Sequence, residues 1–174
     1  MSERTYHHGN LRAALLERAW EGVDAEGADG LSLRHLARGG GVSYGASARH
    51  FRDKQALLDA LAVEGFQRLN ASLGDAVSGD APFADRFRAA GDAYVSFAVR
   101  HPAILRTMYT AKHHATASAE FVEVSHVAMP ALVALITAAQ DAGELPAGPA
   151  EEAAVVAFAA VHGGAALAAG DLLD

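Results

Sequence analysis

Three features of the 174-residue chain predict an all-α fold. Apolar residues recur at helical spacing through most of its length, no segment alternates with a period of two, and glycine or proline interrupts the pattern at the ends of the periodic runs. The pattern predicts about nine helices, with no internal repeat and no low-complexity tail. Asn10 can cap a first helix in which Leu11, Leu15, Ala19 and Val23 share a face, with Leu16 and Trp20 beside them and Gly27 as the stop. Ser32 can cap a short second helix from Leu33 to Arg38, apolar along Leu33, Leu36 and Ala37, which Gly39, Gly40 and Gly41 end. Ser43 can cap a third, running to about Phe51, with Val42 buried in the turn and Phe51 in the core. Asp53 can open a fourth that carries Leu57, Leu58, Leu61 and Phe66. Helices this short do not stand alone in water, so the second and third must pack on longer neighbours. That packing leaves the outer face of the third free to enter a groove.

Farther along, the stripe continues through Leu69, Leu73 and Val77, breaks at Ser78 to Pro82, and resumes from Phe83 to Val99. Pro102 starts a helix whose stripe is Ile104, Leu105, Met108 and Tyr109, fading at Lys112 to Thr116. Ala119 to Ala142 reads as helix with Pro130 as a kink or a break. Gly143 to Gly148, with Pro146, is a turn. The last helix starts near Pro149, where Glu151 and Glu152 suit the helix dipole, and reaches about Ala168.

Composition narrows the function. With 51% hydrophobic and 20% charged residues the chain can bury a full core. Fourteen Lys and Arg against 21 Asp and Glu give a formal charge of −7, so the chain is no general polycation and any nucleic-acid site must be local. Residues 1–68 hold nine basic and nine acidic residues, and residues 69–174 hold five and twelve. Leu31 to Lys54 carries Arg34, Arg38, Arg49, Arg52 and Lys54 against Asp53 alone, a local +4 and the one basic concentration in the chain. The absence of cysteine excludes disulfides, thiolate nucleophiles and Cys-ligated metals. Met1 to Asn10 is polar and lacks the apolar core of a secretory signal, which predicts a cytoplasmic protein. The apolar stretch Ala153 to Val161 falls short of a membrane span and reads as a buried helix.

The segment LSLRHLARGGGVSYGASARHFRDKQALL, Leu31 to Leu58, resembles the N-terminal helix-turn-helix of TetR-type transcriptional regulators. It combines the preceding EGADGLSL, the GVS turn, the RHF.DK.ALL pattern and a long fourth helix in that family's order. HHGNLRAALL, AYVSFAVRHPAILRTMY and FAAVHGGAALAAGDLL extend the resemblance over nearly the whole chain. They resemble the subgroup with a Trp-His-Gly type signature in its C-terminal domain. The resemblance implies a DNA-binding domain over residues 1–54 and a helical effector-binding and dimerisation domain over 55–174. Three positions depart from the pattern. Ala48 stands where a recognition-helix Tyr is usual, Phe158 stands for the signature Trp, and Gly22 replaces a large apolar residue in the first helix at a cost of about 1 kcal/mol.

By that resemblance the partner is double-stranded DNA, bound by a homodimer through two half-sites. Ser32 and Ser43 either cap their helices only or also present backbone amides to phosphates. Arg34, His50 and Lys54 would neutralise phosphates, while Tyr44, Gly45, Ala46, Ser47 and Arg49 would face the bases. Arg49 reads a guanine or grips a phosphate, and Tyr44 stacks on a sugar or touches a thymine methyl. The last two helices would form the dimer surface. The apolar circumference of Pro149 to Ala168 also fits a central core helix. An unknown small-molecule effector would occupy a chamber lined from among Phe87, Tyr94, Phe97, Met108, Tyr109, Phe121, His126, Met129, Phe158 and His162. These residue types at helical spacing equally describe packing, and His162 bonds either across helices or to a ligand. His101, before Pro102, would cap or anchor a helix end. The resemblance implies repression that effector binding releases, through two conformers of which DNA prefers the one with its heads about 34 Å apart. An enzyme or metal site is not expected, because adjacent His113 and His114 point about 100° apart on a helix and no HExxH pair occurs. Gly39 to Gly41 lacks the Lys-Ser/Thr of a phosphate loop. No cofactor is expected. The rival reading is a ligand-binding helical dimer whose DNA binding is weakened or lost.

Overall fold

The computed structural model describes residues 11–41, 43–112 and 118–170, and among them finds nine helices and no strand. The expected cap Asn10, the turn residue Val42 and the pair His113 and His114 lie outside the described residues. In order the helices are α1 (Leu11–Gly30), α2 (Leu33–Gly39), α3 (Tyr44–Ala48), α4 (Lys54–Ala76), α5 (Phe83–Arg100), α6 (Pro102–Ala111), α7 (Ala119–Ser125), α8 (Ala128–Asp141) and α9 (Ala150–Ala169). Glycine and proline set many of the ends. Gly27, at φ 77° and ψ 169°, breaks α1 where a stop was expected, and a further turn follows it. The Ala119 to Ala142 stretch is two helices, and the break falls at His126 and Val127 instead of at Pro130. Pro130 sits in the first turn of α8, where its missing N–H has no intrahelical acceptor to lose.

Packing divides the chain into two compact units: residues 1–65 with 103–117, and residues 66–102 with 118–174. This partition of contacts differs from the functional boundary expected after residue 54, because α6 and the first half of α4 pack with the N-terminal helices. Within the first unit α1, α2 and α3 pack together, and Leu15, Ala19, Val23, Leu36, Phe51, Leu57 and Leu61 are buried. Gly65 on α4 is a position where only glycine leaves room. A Cβ there would lie 2.6 Å from Sδ of the fully buried Met108 on α6.

In the second unit α9 packs on α5 and α8. Pro82 gives α5 no side-chain cap, so the carboxylate of Glu144, from the turn after α8, accepts from the Phe83 N–H at 2.7 Å. Phe66 and Phe121 meet edge to face at 5.7 Å, and Asn70 donates to the Val124 carbonyl at 2.8 Å, tying α4 to α7. The sequence expectation of a buried last helix is corrected here. Only Ala154 and Ala165 of α9 are buried, whereas Val155, Val156 and Leu167 are exposed. An apolar circumference cannot be covered by two neighbours that touch one side. The Ala119–Asp141 stretch and α9 are also long and apolar enough to cross a membrane by length and composition, contrary to the shortfall expected from Ala153 to Val161. Both are packed within the second unit, the first interrupted at His126 and the second contacting α5 and α8.

Candidate nucleic-acid interface

The site begins with two serines. At each of two short helices an extended Ser turns its hydroxyl onto the first turn: the His35 N–H donates to Ser32 Oγ at 3.4 Å, and the Ala46 N–H to Ser43 Oγ at 3.2 Å. Between the helices Gly41 adopts φ 66°, a conformation L side chains rarely take, which lets α3 leave α2 in a tight turn. Leu33, Leu36 and Ala37 bury one face of α2, so Arg34, His35 and Arg38 stand outward. Arg38 Nη2 and His35 Nδ1 are 3.2 Å apart. Phe51, buried after α3, carries the Arg12 guanidinium over its ring at 5.3 Å and anchors the end of the motif. Asp53 then caps α4, accepting from the Ala56 N–H at 2.8 Å.

Between Leu31 and Lys54 the exposed cations are Arg34, Arg38, Arg49 and Arg52, with Arg52 also paired to Asp53 at 3.1 Å. Arg34 lies with its guanidinium 5.7 Å from the centre of the Tyr44 ring, joining the first turns of α2 and α3. Tyr44 is 49% exposed, Gly45 is exposed, and Ala46, Ala48 and His50 are half-buried. Chemically, planar guanidiniums of this kind can pair with phosphates or a guanine edge, and one aromatic ring stands beside them.

One expected contact is corrected by the geometry, and another side chain already has a protein partner. Ser47 does not face outward; it is fully buried, and its hydroxyl donates at 3.5 Å to the Ser43 carbonyl. On a five-residue helix, packing against α1 and α2 decides which side turns in, and that choice falls on Ser47. Lys54 is half-buried, and its ammonium donates to the Asp29 carbonyl at 2.9 Å, fastening the start of α4 to the end of α1. Phosphate contact would require it to exchange that partner. The helix expected to reach Phe51 ends at Ala48, with Arg49 as its C-cap.

Among the effector candidates, Tyr94, Phe158 and His162 come together. The Tyr94 hydroxyl and His162 Nδ1 are 2.6 Å apart, Phe158 stacks on His162 at 5.4 Å, and Tyr94 meets Phe158 edge to face at 6.2 Å. These contacts link α5 to α9, so His162 makes the bond across helices. Phe97 is buried with the half-buried His101 ring against it at 5.4 Å, where His101 caps α5. Phe121 is buried and Met129 half-buried, whereas Phe87 is exposed and stacked on Phe83 at 5.3 Å. His126 is exposed and turned back on its own helix, Nδ1 donating to the Val122 carbonyl at 2.6 Å. Met108 and Tyr109 belong to the first unit. There Lys112 places its ammonium 5.4 Å from the centre of the Tyr109 ring, and partial desolvation lowers its pKa from the usual lysine value. A groove of about 550 Å³ lies elsewhere, along Ile136, Gln140, Leu145, Pro149, Ala153 and Val156, and none of the effector candidates lines it. Sequence reading missed it because a turn forms it. Gln140 holds the Pro146 and Gly148 carbonyls at 3.1 and 3.2 Å, a closure that spacing does not announce. Among the described residues no three His, Asp or Glu side chains converge as metal ligands.

Residues 15–61 match the family described as bacterial regulatory proteins, tetR family, and residues 87–173 match the tetracyclin repressor-like C-terminal domain. A solved structure of a protein with unknown function from Rhodococcus sp. RHA1 is 50% identical, covers 99% of this chain and 89% of its own, and superposes with a TM-score of 0.90. A bacterial regulatory protein in the tetR family from Rhodococcus RHA1 is similar at 23% identity, TM-score 0.69, over 88% of this chain and 82% of its own. A TetR-family transcriptional regulator from Thermus thermophilus shares the fold at 18% identity, TM-score 0.70, over 87% of this chain and 84% of its own. No curated protein matches the chain.

Proposed function

The chain belongs to the tetR family of bacterial regulatory proteins, and from that premise we propose that it is a cytoplasmic, DNA-binding repressor, a homodimer on a palindromic operator that a small-molecule effector releases. We place it in the subgroup whose C-terminal signature is of the Trp-His-Gly type, with Phe158 in the place of the Trp. One observation carries the DNA reading: two Ser-capped short helices present Arg34, Tyr44 and Arg49 to solvent on the only basic stretch of an acidic chain. Residues 1–54 supply the reading head, and residues 55–174 the dimer and effector parts. Arg34 neutralises a phosphate. Arg49, exposed at the C-cap of α3, reads a base edge or grips a phosphate, and Gly45 and Ala46 allow close approach of the backbone. The exposed apolar side chains of α9 are the surface on which a second copy packs, because one α3 reads too few base pairs for specificity. The effector acts from the second unit through Tyr94, Phe158 and His162, where α5 meets α9.

A second reading is favoured by the same helix. With Ser47 turned inward and Ala48 short, α3 offers only Tyr44 and Arg49 as long exposed side chains, which suits a ligand-binding dimer with weakened DNA binding. Selection of sites from random duplexes at near-physiological salt separates the two. The repressor reading expects an inverted repeat whose enrichment is lost with Arg49→Ala. No enrichment by the wild type supports the weakened head, and Ala48→Tyr is then the first restoration to try.

A further inference from the structure

Among the described residues of the first unit, Tyr44 is the one large hydrophobic side chain left exposed. It stands at the first position of α3, and a guanidinium from another helix, Arg34 on α2, lies over its ring at 5.7 Å. An isolated aromatic ring in water is free to change rotamer and gains nothing from staying out. A planar cation on one face restrains it and leaves the opposite face, the edge and the hydroxyl available. With its guanidinium 5.7 Å from the ring centre, Arg34 has N–H groups left for an anion while its charge holds the tyrosine. The rest of α3 offers no side chain of comparable reach before Arg49 at its other end.

We propose that Arg34 and Tyr44 form a single recognition unit, in which Arg34 is a positioning residue that holds the Tyr44 ring against the 5-methyl group of a thymine in the major groove. This rests on the DNA-reading function proposed above and adds a base preference to it. A phosphate-binding Arg34 acting alone would lower affinity evenly over all sequences when removed. An Arg34 that acts through Tyr44 changes which base is preferred.

The test uses the full-length protein and the duplex it selects from a random pool, with each selected thymine replaced in turn by uracil, which removes only the methyl group. Wild type is expected to lose affinity on the order of tenfold at one thymine per half-site, and Tyr44→Ala to lose the same preference. Arg34→Ala and Arg34→Lys are both expected to erase the thymine-over-uracil preference, although Lys keeps the charge and the salt dependence. Arg34→Ala should add little in a Tyr44→Ala background. Both side chains are exposed, and thermal melting checks that the variants fold. A thymine preference that survives Arg34→Lys, or additive losses in the double variant, overturns the coupling while leaving the DNA reading intact. If the wild type selects no duplex at all, the DNA reading itself fails and this inference falls with it.

Discussion

Among the described residues of the first unit only Tyr44 is a large apolar side chain left exposed, whereas the second leaves Phe87, Val99, Val122, Val127, Val155, Val156 and Leu167 in solvent. Both units are built from amphipathic helices, so the difference is not one of secondary structure. Under the proposed function it lies in what each surface meets. A surface made for a polyanion needs exposed guanidiniums over a closed apolar core, and the first unit supplies Arg34, Arg38 and Arg49 over Leu36, Phe51 and Leu57. A surface made for another copy of itself needs apolar area that stays open until the copy arrives, and α9 supplies that area.

Val156 is 69% exposed on α9 and lines the groove formed with α8 and the intervening turn. Val156→Asp places a carboxylate on the proposed dimer face twice over, once per copy. Sedimentation at micromolar concentration should show the variant as a monomer, with affinity for a selected duplex lower by roughly a hundredfold or more. An unchanged dimer would move the interface away from α9. In the first unit the largest expected effect is at Phe51, 2% exposed and holding the end of the reading motif. Phe51→Ala should lower stability by about 3–5 kcal/mol in denaturant titration, and the dimer should persist until the head unfolds. A loss under about 1 kcal/mol would mean the head is not the closed core described. Ser43→Ala is the smallest test. Loss of the bond from the Ala46 N–H should cost about 1 kcal/mol and weaken DNA binding with no change of oligomeric state.

How far the fold was legible follows from the range of each signal. Ser32, Ser43 and Asp53 announced three helix starts because a cap acts within its own first turn, and the bonds to His35, Ala46 and Ala56 are local. Gly27 marked the break inside α1 and Pro102 the start of α6, since backbone preference also acts locally. Pro130 misled because proline fits the first turn of a helix as well as it breaks the middle of one. The inward turn of Ser47 was illegible, since a five-residue helix has no face of its own and its neighbours choose one. Contacts across tens of residues left no sequence trace. The Phe83 cap by Glu144, the engagement of Lys54 with Asp29 and the pairing of Tyr94 with His162 depend on how helices come together. Met108 and Tyr109 fell into the first unit because α6 packs where Gly65 makes room, a consequence of one missing Cβ on another helix.

Under the proposed function, the Arg-bearing face of α2 and α3 binds DNA phosphates in an otherwise acidic chain. Affinity of the full-length protein for its selected duplex, measured across monovalent salt from about 50 to 200 mM, tests it most directly, because each neutralised phosphate contributes about −0.9 to the slope of log affinity against log salt. A steep decline is expected, made shallower by about one unit per half-site in Arg34→Ala. A flat line, or a steep one that no arginine of this face alters, would contradict it.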